Sequence, residues 1–175
     1  DRTSKLKIGD GMDPTIDVSP LSSQNQKDKV LEYIGIGTEE GADLAYGGRE
    51  LKGGDFGHGY YVEPTIFTGV SPDMRIAKEE IFGPVLSVLT WRDYETMLEE
   101  ANSLIYGLTA AIVTNDLELA METAQRIEAG YVWINSSGRY LGAPYGGWKQ
   151  SGVGREGGHL SLEFYSESKN VCIKL

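Results

Sequence analysis

The 175-residue sequence has few of the residues that would build disulfides, metal sites or membrane spans. Its one cysteine, Cys172, excludes an intrachain disulfide, which suits a reducing compartment such as the cytoplasm. The two histidines, His58 and His159, lie far apart, and no second cysteine supports a zinc site. No apolar run reaches the roughly 20 residues that a membrane-spanning helix needs. We therefore expect a cytoplasmic protein without a metal site and without a membrane partner.

Basic residues are also scarce. The chain has 16 lysines and arginines against 26 aspartates and glutamates, a formal net charge of -10. Because a nucleic-acid groove needs a positive field, nucleic acid is not an expected partner. The chain also lacks an initiating methionine and any hydrophobic segment behind its first charged residues. We therefore expect it to begin inside a longer gene product and to carry no signal peptide.

What is present is an alternation of helical and strand-like patterns. The predicted helices run from about Ser23 to Thr38, from Asp93 to about Ser103, and from Asn115 or Asp116 to a stop at Gly130. The predicted strands cover 42–46, 60–67, 85–91, 108–113 and 131–134. Apolar strands without polar alternation, joined by helices, predict an α/β fold of parallel β-α-β units buried on both faces. Pro64 has no amide to donate and should hold its run at a sheet edge.

The remainder of the chain is less regular. Residues 136–159 are rich in glycine, and residues 162–175 have a strand-like pattern that needs a partner edge, which another subunit could supply. Residues 152–157 match G-x-G-x-x-G, but no buried strand precedes them, so the match to a dinucleotide fingerprint is interpreted as chance. Cys172 alternates with apolar neighbours and is interpreted as a small packing residue.

Residues 78–84, K-E-E-I-F-G-P, form the most informative segment. Two adjacent carboxylates, Glu79 and Glu80, precede an apolar pair, and Gly-Pro then interrupts the chain before a buried strand. One carboxylate could point into a cleft while the other stays solvated, or the segment could be a charged helix end followed by a turn. Ligands in α/β folds gather at loops that flank the strands, which favours the first interpretation without deciding it.

Several motifs resemble the carboxyl-terminal hallmarks of the aldehyde dehydrogenase superfamily, in the family's order and with close to its spacing. They are E-E-I-F-G-P at 79–84, Y-G-L at 106–108, G-Y-V-W-I-N at 130–135 and P-Y-G-G-W-K-Q-S-G at 144–152. Upstream, E-E-G-A at 39–42, the glycine pair at 47–48 and Y-Y-V-E-P-T at 60–65 match as well. The resemblance implies the later part of the catalytic α/β domain, residues 1–161, followed by a terminal oligomerisation strand, residues 162–175.

The resemblance also implies site residues and a reaction. Members oxidise an aldehyde through a cysteine thiolate, hydride passes to NAD or NADP, and an activated water hydrolyses the thioester. Glu80 corresponds to the glutamate that bonds the nicotinamide ribose hydroxyls, and Phe82 to the aromatic beside the nicotinamide. Tyr145 corresponds to an aromatic of the substrate tunnel, where phenylalanine is usual. Asn135 is expected to order the following loop.

The nucleophilic cysteine, the general base and the dinucleotide-binding domain of such enzymes lie upstream of the matching region. No catalytic residue is therefore assigned in this chain, and we expect the isolated chain to be inactive and the parent to be a homo-oligomer. The alternative is a stand-alone, non-enzymatic oligomerisation or binding module derived from the family. A start codon close to Asp1 would favour the module, and an upstream dinucleotide domain would favour the enzyme.

The sequence does not identify the aldehyde, nor does it separate NAD from NADP. Tyr145 and the polar residues 136–139 point to a polar or charged aldehyde. Arg139 could meet a substrate carboxylate, or it could be an ordinary solvated loop arginine.

Overall fold

The polypeptide chain folds into two units, Asp1–Thr90 and Trp91–Leu175. The computed structural model describes residues 2–138 and 140–174, so the interpretations of Arg139 lie outside the described residues. The predicted division at residues 161 and 162 stays a prediction.

The first unit begins with turns and then forms a long helix, three strand pairings and a short second helix. Its elements are α1 (Gln24–Glu39), β1 (Asp43–Tyr46), β2 (Glu50–Leu51), β3 (Tyr61–Val62), β4 (Thr65–Thr68), α2 (Arg75–Lys78) and β5 (Val85–Ser87). β4 is central in a three-stranded sheet, antiparallel to β1 and parallel to β5, and β2 pairs antiparallel with β3.

Both ends of α1 follow from local chemistry. The Ser23 hydroxyl accepts a hydrogen bond from the amide of Gln26 at 3.2 Å, which satisfies one of the free amides of the first turn. At the other end, Gly41 has φ +94° and its amide donates to the carbonyl of Thr38 at 3.1 Å. A residue without Cβ suits this left-handed position, so the predicted helix and its end are confirmed.

The core of the first unit lies between α1, α2 and the three-stranded sheet. Val30 of α1 and Phe67 of β4 are fully buried, at 0% exposure, and Ile76 of α2 is buried beside them. Gly37 lets α1 approach closely, since a Cβ there would lie 3.1 Å from the Phe67 ring. The burial of these apolar side chains is the main source of stability for this unit.

The predicted edge position of the 60–67 run is wrong for its second half. Pro64 lies between β3 and β4, and the chain changes pairing partner there. Because the proline is outside both ladders, its missing amide costs no strand hydrogen bond, and β4 can be central.

The second unit contains a parallel β-α-β element. Its elements are α3 (Tyr94–Asn102), β6 (Tyr106–Gly107), β7 (Thr109–Ile112), α4 (Leu117–Arg126), β8 (Tyr131–Ile134), β9 (Trp148–Lys149) and α5 (Ser161–Phe164). β7 and β8 pair parallel in register from Thr109↔Tyr131 to Ile112↔Ile134, and β6 pairs antiparallel with β9. Asp93 and Asp116 cap α3 and α4, as predicted, by accepting amide hydrogen bonds.

Two predictions for the second unit need correction. β7 is not buried on both faces, since Thr109 and Ala111 are exposed and only alternate residues are half-buried. Gly130 is not the stop of α4, which ends at Arg126 with Ile127 as its cap. Gly130 instead allows a close approach between two backbone segments, because a Cβ there would lie 1.7 Å from the carbonyl oxygen of Gly146.

The tail also differs from the predicted strand. Ser161–Phe164 forms the short helix α5, and no helix or strand is assigned within residues 165–174. Cys172 is exposed, so it is not a packing residue within this chain. Pairing of this segment with another subunit stays a prediction. Among the described residues, no helix combines the length and the apolar character that a membrane crossing requires.

The fully buried ring of Phe67 generates a stability prediction. Phe67→Ala in the 175-residue chain should lower the free energy of unfolding by about 3 to 5 kcal/mol, because it leaves a cavity beside Ile76 and Val30. Urea denaturation measures this change. Leu86→Ala is the control, since Leu86 is 57% exposed and should change stability far less. Equal losses in the two variants would contradict the described core.

Candidate functional site

The segment 79–84 connects α2 to β5, and its two adjacent glutamates have different surroundings. The Glu79 carboxylate accepts hydrogen bonds from Arg75 Nε at 3.0 Å, from Arg75 Nη2 at 2.9 Å, and from the Tyr33 hydroxyl. These bonds, chiefly those from the Arg75 guanidinium, lower the pKa of Glu79 to about 2. Glu79 is therefore engaged in holding α2 and α1 together.

The Glu80 side chain is exposed and has no hydrogen bond or ion pair with the part of the chain that the structure describes. Its backbone is held instead, because Lys29 Nζ of α1 donates to the Glu80 carbonyl oxygen at 2.9 Å. An ionised carboxylate accepts hydrogen bonds only, and its two oxygens can accept from two neighbouring donors at once. These contacts fit both interpretations of the segment, a carboxylate available to a ligand and a solvated charge after a helix end, and of the two glutamates the one without a partner among the described residues is Glu80.

The backbone around Glu80 is fixed by packing on both sides. Ile81 is buried in the core, at 8% exposure. Gly83 lies directly against α1, because a Cβ there would be 2.4 Å from Val30 Cγ2. The Pro84 carbonyl oxygen accepts from the amide of Thr65 at 2.8 Å, which joins the segment to β4. The glycine of the motif is thus needed for close approach to the helix, and the backbone of Pro84 leads the segment into the sheet.

Phe82 has an unusual backbone conformation and an exposed ring. Its φ is +56°, in the left-handed region that bulky side chains rarely adopt, and its side chain is 71% exposed. Such a conformation costs about 1 to 3 kcal/mol and persists only where the surroundings enforce it. Gln26 of α1 is among the groups that hold this stretch, since its Nε2 donates to the carbonyl oxygens of Ile81 at 3.0 Å and Phe82 at 2.7 Å.

Tyr145 lies in the second unit, whereas Glu80 and Phe82 lie in the first. Its backbone forms an antiparallel bridge with Glu156, with both N–O distances 2.7 Å. Its ring lies 5.6 Å from that of Tyr131 on β8, and the Tyr131 ring lies 5.0 Å from that of Trp133. Tyr145 therefore belongs to an aromatic cluster, which we define as Tyr131, Trp133 and Tyr145.

The aromatic cluster also anchors the loop that follows β8. Trp133 Nε1 donates to the Gly138 carbonyl oxygen at 2.8 Å, and the Tyr131 hydroxyl accepts from the amide of Tyr140 at 3.1 Å. The Asn135 amide bonds the backbone of Thr114 twice, donating to its oxygen at 2.8 Å and accepting from its nitrogen at 3.0 Å. Asn135 therefore joins the end of β8 to the segment after β7, and its ordering of the loop that follows β8 stays a prediction.

A pocket of about 360 Å³ lies beside Tyr145. Leu108, Phe164 and Tyr165 supply apolar surface, and residues 151–156 also line the pocket. These residues include the first five positions of the G-x-G-x-x-G match. The G-x-G-x-x-G match follows the two-residue strand β9, and the next helix along the chain begins only at Ser161. The strand–turn–helix context of a dinucleotide fingerprint is therefore not formed here. The segment instead forms part of the lining of this pocket.

Two polar residues of α1 were missed by sequence reasoning. Gln26 and Lys29 hold the carbonyls of residues 80–82, more than 50 positions away in sequence. The one available signal was their helical spacing of three, which places both on the same side of α1. No group of three or more histidine, cysteine or acidic residues within 2–138 and 140–174 is arranged to hold a metal ion.

The chain belongs to the aldehyde dehydrogenase family, whose family model matches residues 1–171. It is 45% identical to a betaine aldehyde dehydrogenase of Brucella anthropi over 100% of this chain, and 43% identical to one of Mesorhizobium japonicum over 99%. The chain spans about a third of the length of these relatives, 36% in each case.

Solved structures agree with this assignment. A Bacillus cereus aldehyde dehydrogenase in complex with NAD+ matches at a TM-score of 0.88 and 42% identity, over 95% of this chain and 33% of that one. A Staphylococcus aureus betaine aldehyde dehydrogenase in complex with NAD+ matches at 0.89 and 38%, over 94% and 33%. The predicted family and the α/β fold class are confirmed.

The lowered pKa of Glu79 generates a pH prediction. Its folded-state pKa of about 2 lies below the ordinary value of 4.5, so its stabilising contribution is fully present above pH 4.5 and is lost as the pH falls through about 2. Titration of the Glu79 carboxyl carbon by NMR should give a midpoint near 2. In Arg75→Gln the midpoint should rise towards 4.5, because the largest cause of the shift is removed. An unchanged midpoint in that variant would contradict the assignment.

Proposed function

We propose that this chain is part of an enzyme that oxidises an aldehyde to a carboxylic acid with NAD or NADP, and that it supplies one wall of the cofactor and substrate sites. Family membership supports the reaction class, and the NAD+ complexes of related structures support the cofactor. When bound, the nicotinamide accepts the hydride from the substrate. The role proposed for the residues of this chain is to hold and orient the cofactor and the aldehyde.

The observation that carries the proposal is the difference between Glu79 and Glu80. Glu79 is engaged by Arg75 and Tyr33, whereas the exposed Glu80 carboxylate has no partner among the described residues and sits on a backbone fixed at residues 80–84. An acceptor held in this way suits the two adjacent hydroxyls of a ribose, because a carboxylate can accept both hydrogen bonds. In this proposal Glu80 bonds the nicotinamide ribose.

Phe82 and Tyr145 have supporting roles in the proposal. The Phe82 ring is held outward by its left-handed backbone and is available to pack beside the nicotinamide. Tyr145 borders the 360 Å³ pocket and contributes an aromatic wall to the substrate passage. No catalytic residue is proposed in this chain, since its one cysteine is exposed in the tail. The nucleophile is proposed to lie in the remainder of the parent.

Two further features belong to the proposal. Val171 and Ile173 are 70% and 76% exposed in a tail without a strand partner, which supports assembly of the parent into a homo-oligomer. The single cysteine supports a reducing compartment, the cytoplasm.

The test of the cofactor role is Glu80→Gln in the full-length parent. Replacing the carboxylate by an amide removes charge-assisted hydrogen bonds to the ribose, so the KM for NAD or NADP should rise at least about tenfold. Steady-state kinetics at saturating aldehyde measures it. Glu32→Gln is the control, because Glu32 is an exposed glutamate of α1 outside segment 79–84. An unchanged KM in Glu80→Gln would refute the assignment.

We also propose that the aldehyde is polar or charged, which the aromatic cluster and the names of the relatives support. Betaine aldehyde and 3,3-dimethylbutanal have the same shape and differ in charge, so they form a matched pair. If the ring of Tyr145 meets a cationic group, Tyr145→Leu should lower kcat/KM for betaine aldehyde about 2- to 30-fold more than for the neutral isostere. Tyr145→Phe keeps the aromatic face and should retain the preference. A parent that favours the neutral aldehyde would contradict the proposal.

A further inference from the structure

We infer that Tyr131 of β8 is a positioning residue for the aldehyde passage, acting on residues 136–145 and not by contact with the aldehyde. We call residues 136–145 the β8 loop. The inference rests on the proposed function, because it takes Tyr145 as an aromatic wall of that passage. Its basis is that the Tyr131 side chain makes two separate contacts with the β8 loop, one through its hydroxyl and one through its ring.

The first arm of the β8 loop is held against one face of β8. Side chains two residues apart on a strand point to the same face, so Tyr131 and Trp133 share a face. Trp133 Nε1 donates to the carbonyl oxygen of Gly138 at 2.8 Å, and the Tyr131 hydroxyl accepts from the amide of Tyr140 at 3.1 Å. Two side-chain hydrogen bonds therefore tie this arm to the strand, and each can be removed by a single substitution.

The second arm of the β8 loop is held by backbone packing. A Cβ at Gly158 would lie 3.0 Å from the carbonyl oxygen of Gly142. Further along, the backbones of Tyr145 and Glu156 exchange two hydrogen bonds, each with an N–O distance of 2.7 Å. This arm does not depend on the Tyr131 hydroxyl, so loss of that hydroxyl should release the first arm and leave the second in place.

The ring of Tyr131 joins the two arms. Its centroid lies 5.6 Å from that of the Tyr145 ring, with an interplanar angle of 53°, which is the geometry of a favourable aromatic pair. The hydroxyl of the same side chain meets the amide of Tyr140 on the first arm. Tyr131 therefore sets the spacing between the first arm and the aromatic wall at Tyr145.

Release of the first arm should weaken aldehyde binding without changing the chemical step. The arm carries Tyr140 and Leu141, which are 72% and 81% exposed, so its release would move two large side chains relative to Tyr145. When only a fraction of the molecules has the binding-competent conformation, the apparent affinity falls by that fraction. Loss of an ordinary hydrogen bond changes such an equilibrium about 2- to 10-fold.

The experiment uses the full-length parent and the variants Tyr131→Phe, Tyr145→Leu and Tyr94→Phe. Tyr131→Phe removes the hydroxyl and keeps the ring pair. Tyr94→Phe is the matched control, because the half-buried Tyr94 also forms one hydroxyl hydrogen bond, 2.9 Å to Thr123 Oγ1, but that bond joins α3 to α4. The measurements are KM and kcat for betaine aldehyde and 3,3-dimethylbutanal, amide hydrogen exchange of residues 136–145, and Tm.

We expect Tyr131→Phe to raise the KM of both aldehydes about 2- to 10-fold, with little change in kcat and with faster exchange in the β8 loop. The ratio of kcat/KM between the two aldehydes should stay the same, because the Tyr145 ring and its partner ring remain. Tyr145→Leu should change that ratio. Tyr94→Phe should lower Tm to a similar extent as Tyr131→Phe and leave KM and loop exchange unchanged.

The outcomes separate the inference from the proposed function. If Tyr145→Leu leaves KM and the ratio of kcat/KM unchanged for both aldehydes, the proposed substrate wall fails and the inference fails with it. If Tyr145→Leu changes them and Tyr131→Phe leaves KM unchanged, the positioning role is refuted while the proposed function survives. A raised KM without faster loop exchange, or an equal rise in Tyr94→Phe, would also refute the role. Should Tyr131→Phe not fold, Trp133→Phe releases the same arm at Gly138, and the same comparisons apply.

Discussion

The close approach of segment 79–84 to helix α1 is the contact on which the candidate cofactor site depends. Gly83 lies against Val30 where a Cβ would be 2.4 Å from the valine methyl group. This approach brings the loop carbonyls within reach of Gln26 and Lys29, and it lets Ile81 enter the core. The apolar contact therefore sets the distance, and the polar side chains of the same helix then determine the conformation of the loop.

The two adjacent glutamates of this segment differ in whether their charges are paired. The Glu79 charge is paired with Arg75, and its hydrogen bond from Tyr33 ties α2 to α1. The neighbouring Glu80 retains an exposed charge with no partner among the described residues. The two glutamates therefore differ in their surroundings, because the backbone directs the Glu79 side chain towards Arg75 and leaves the Glu80 side chain exposed.

Periodicity and caps were sufficient to predict α1, α3, α4 and the parallel pair β7–β8, since those signals are local. The central position of β4 and the short helix α5 were missed, because pairing partners and tertiary packing override local pattern there. The family resemblance supplied Glu80, Phe82 and Tyr145. It did not supply Gln26, whose contacts join positions 55 and 56 residues apart and leave no trace in local sequence.

The pocket beside Tyr145 is built on contacts between backbones. Gly130 and Gly146 meet where a Cβ would lie 1.7 Å from a carbonyl oxygen, and Gly147 meets Ser151 in the same way at 2.2 Å. Such a frame does not depend on the identity of the side chains in residues 136–138, which are attached to it through Trp133. Mutations in that loop can therefore accumulate at little cost to folding, so its surface can diverge while the backbone frame of the pocket stays unchanged.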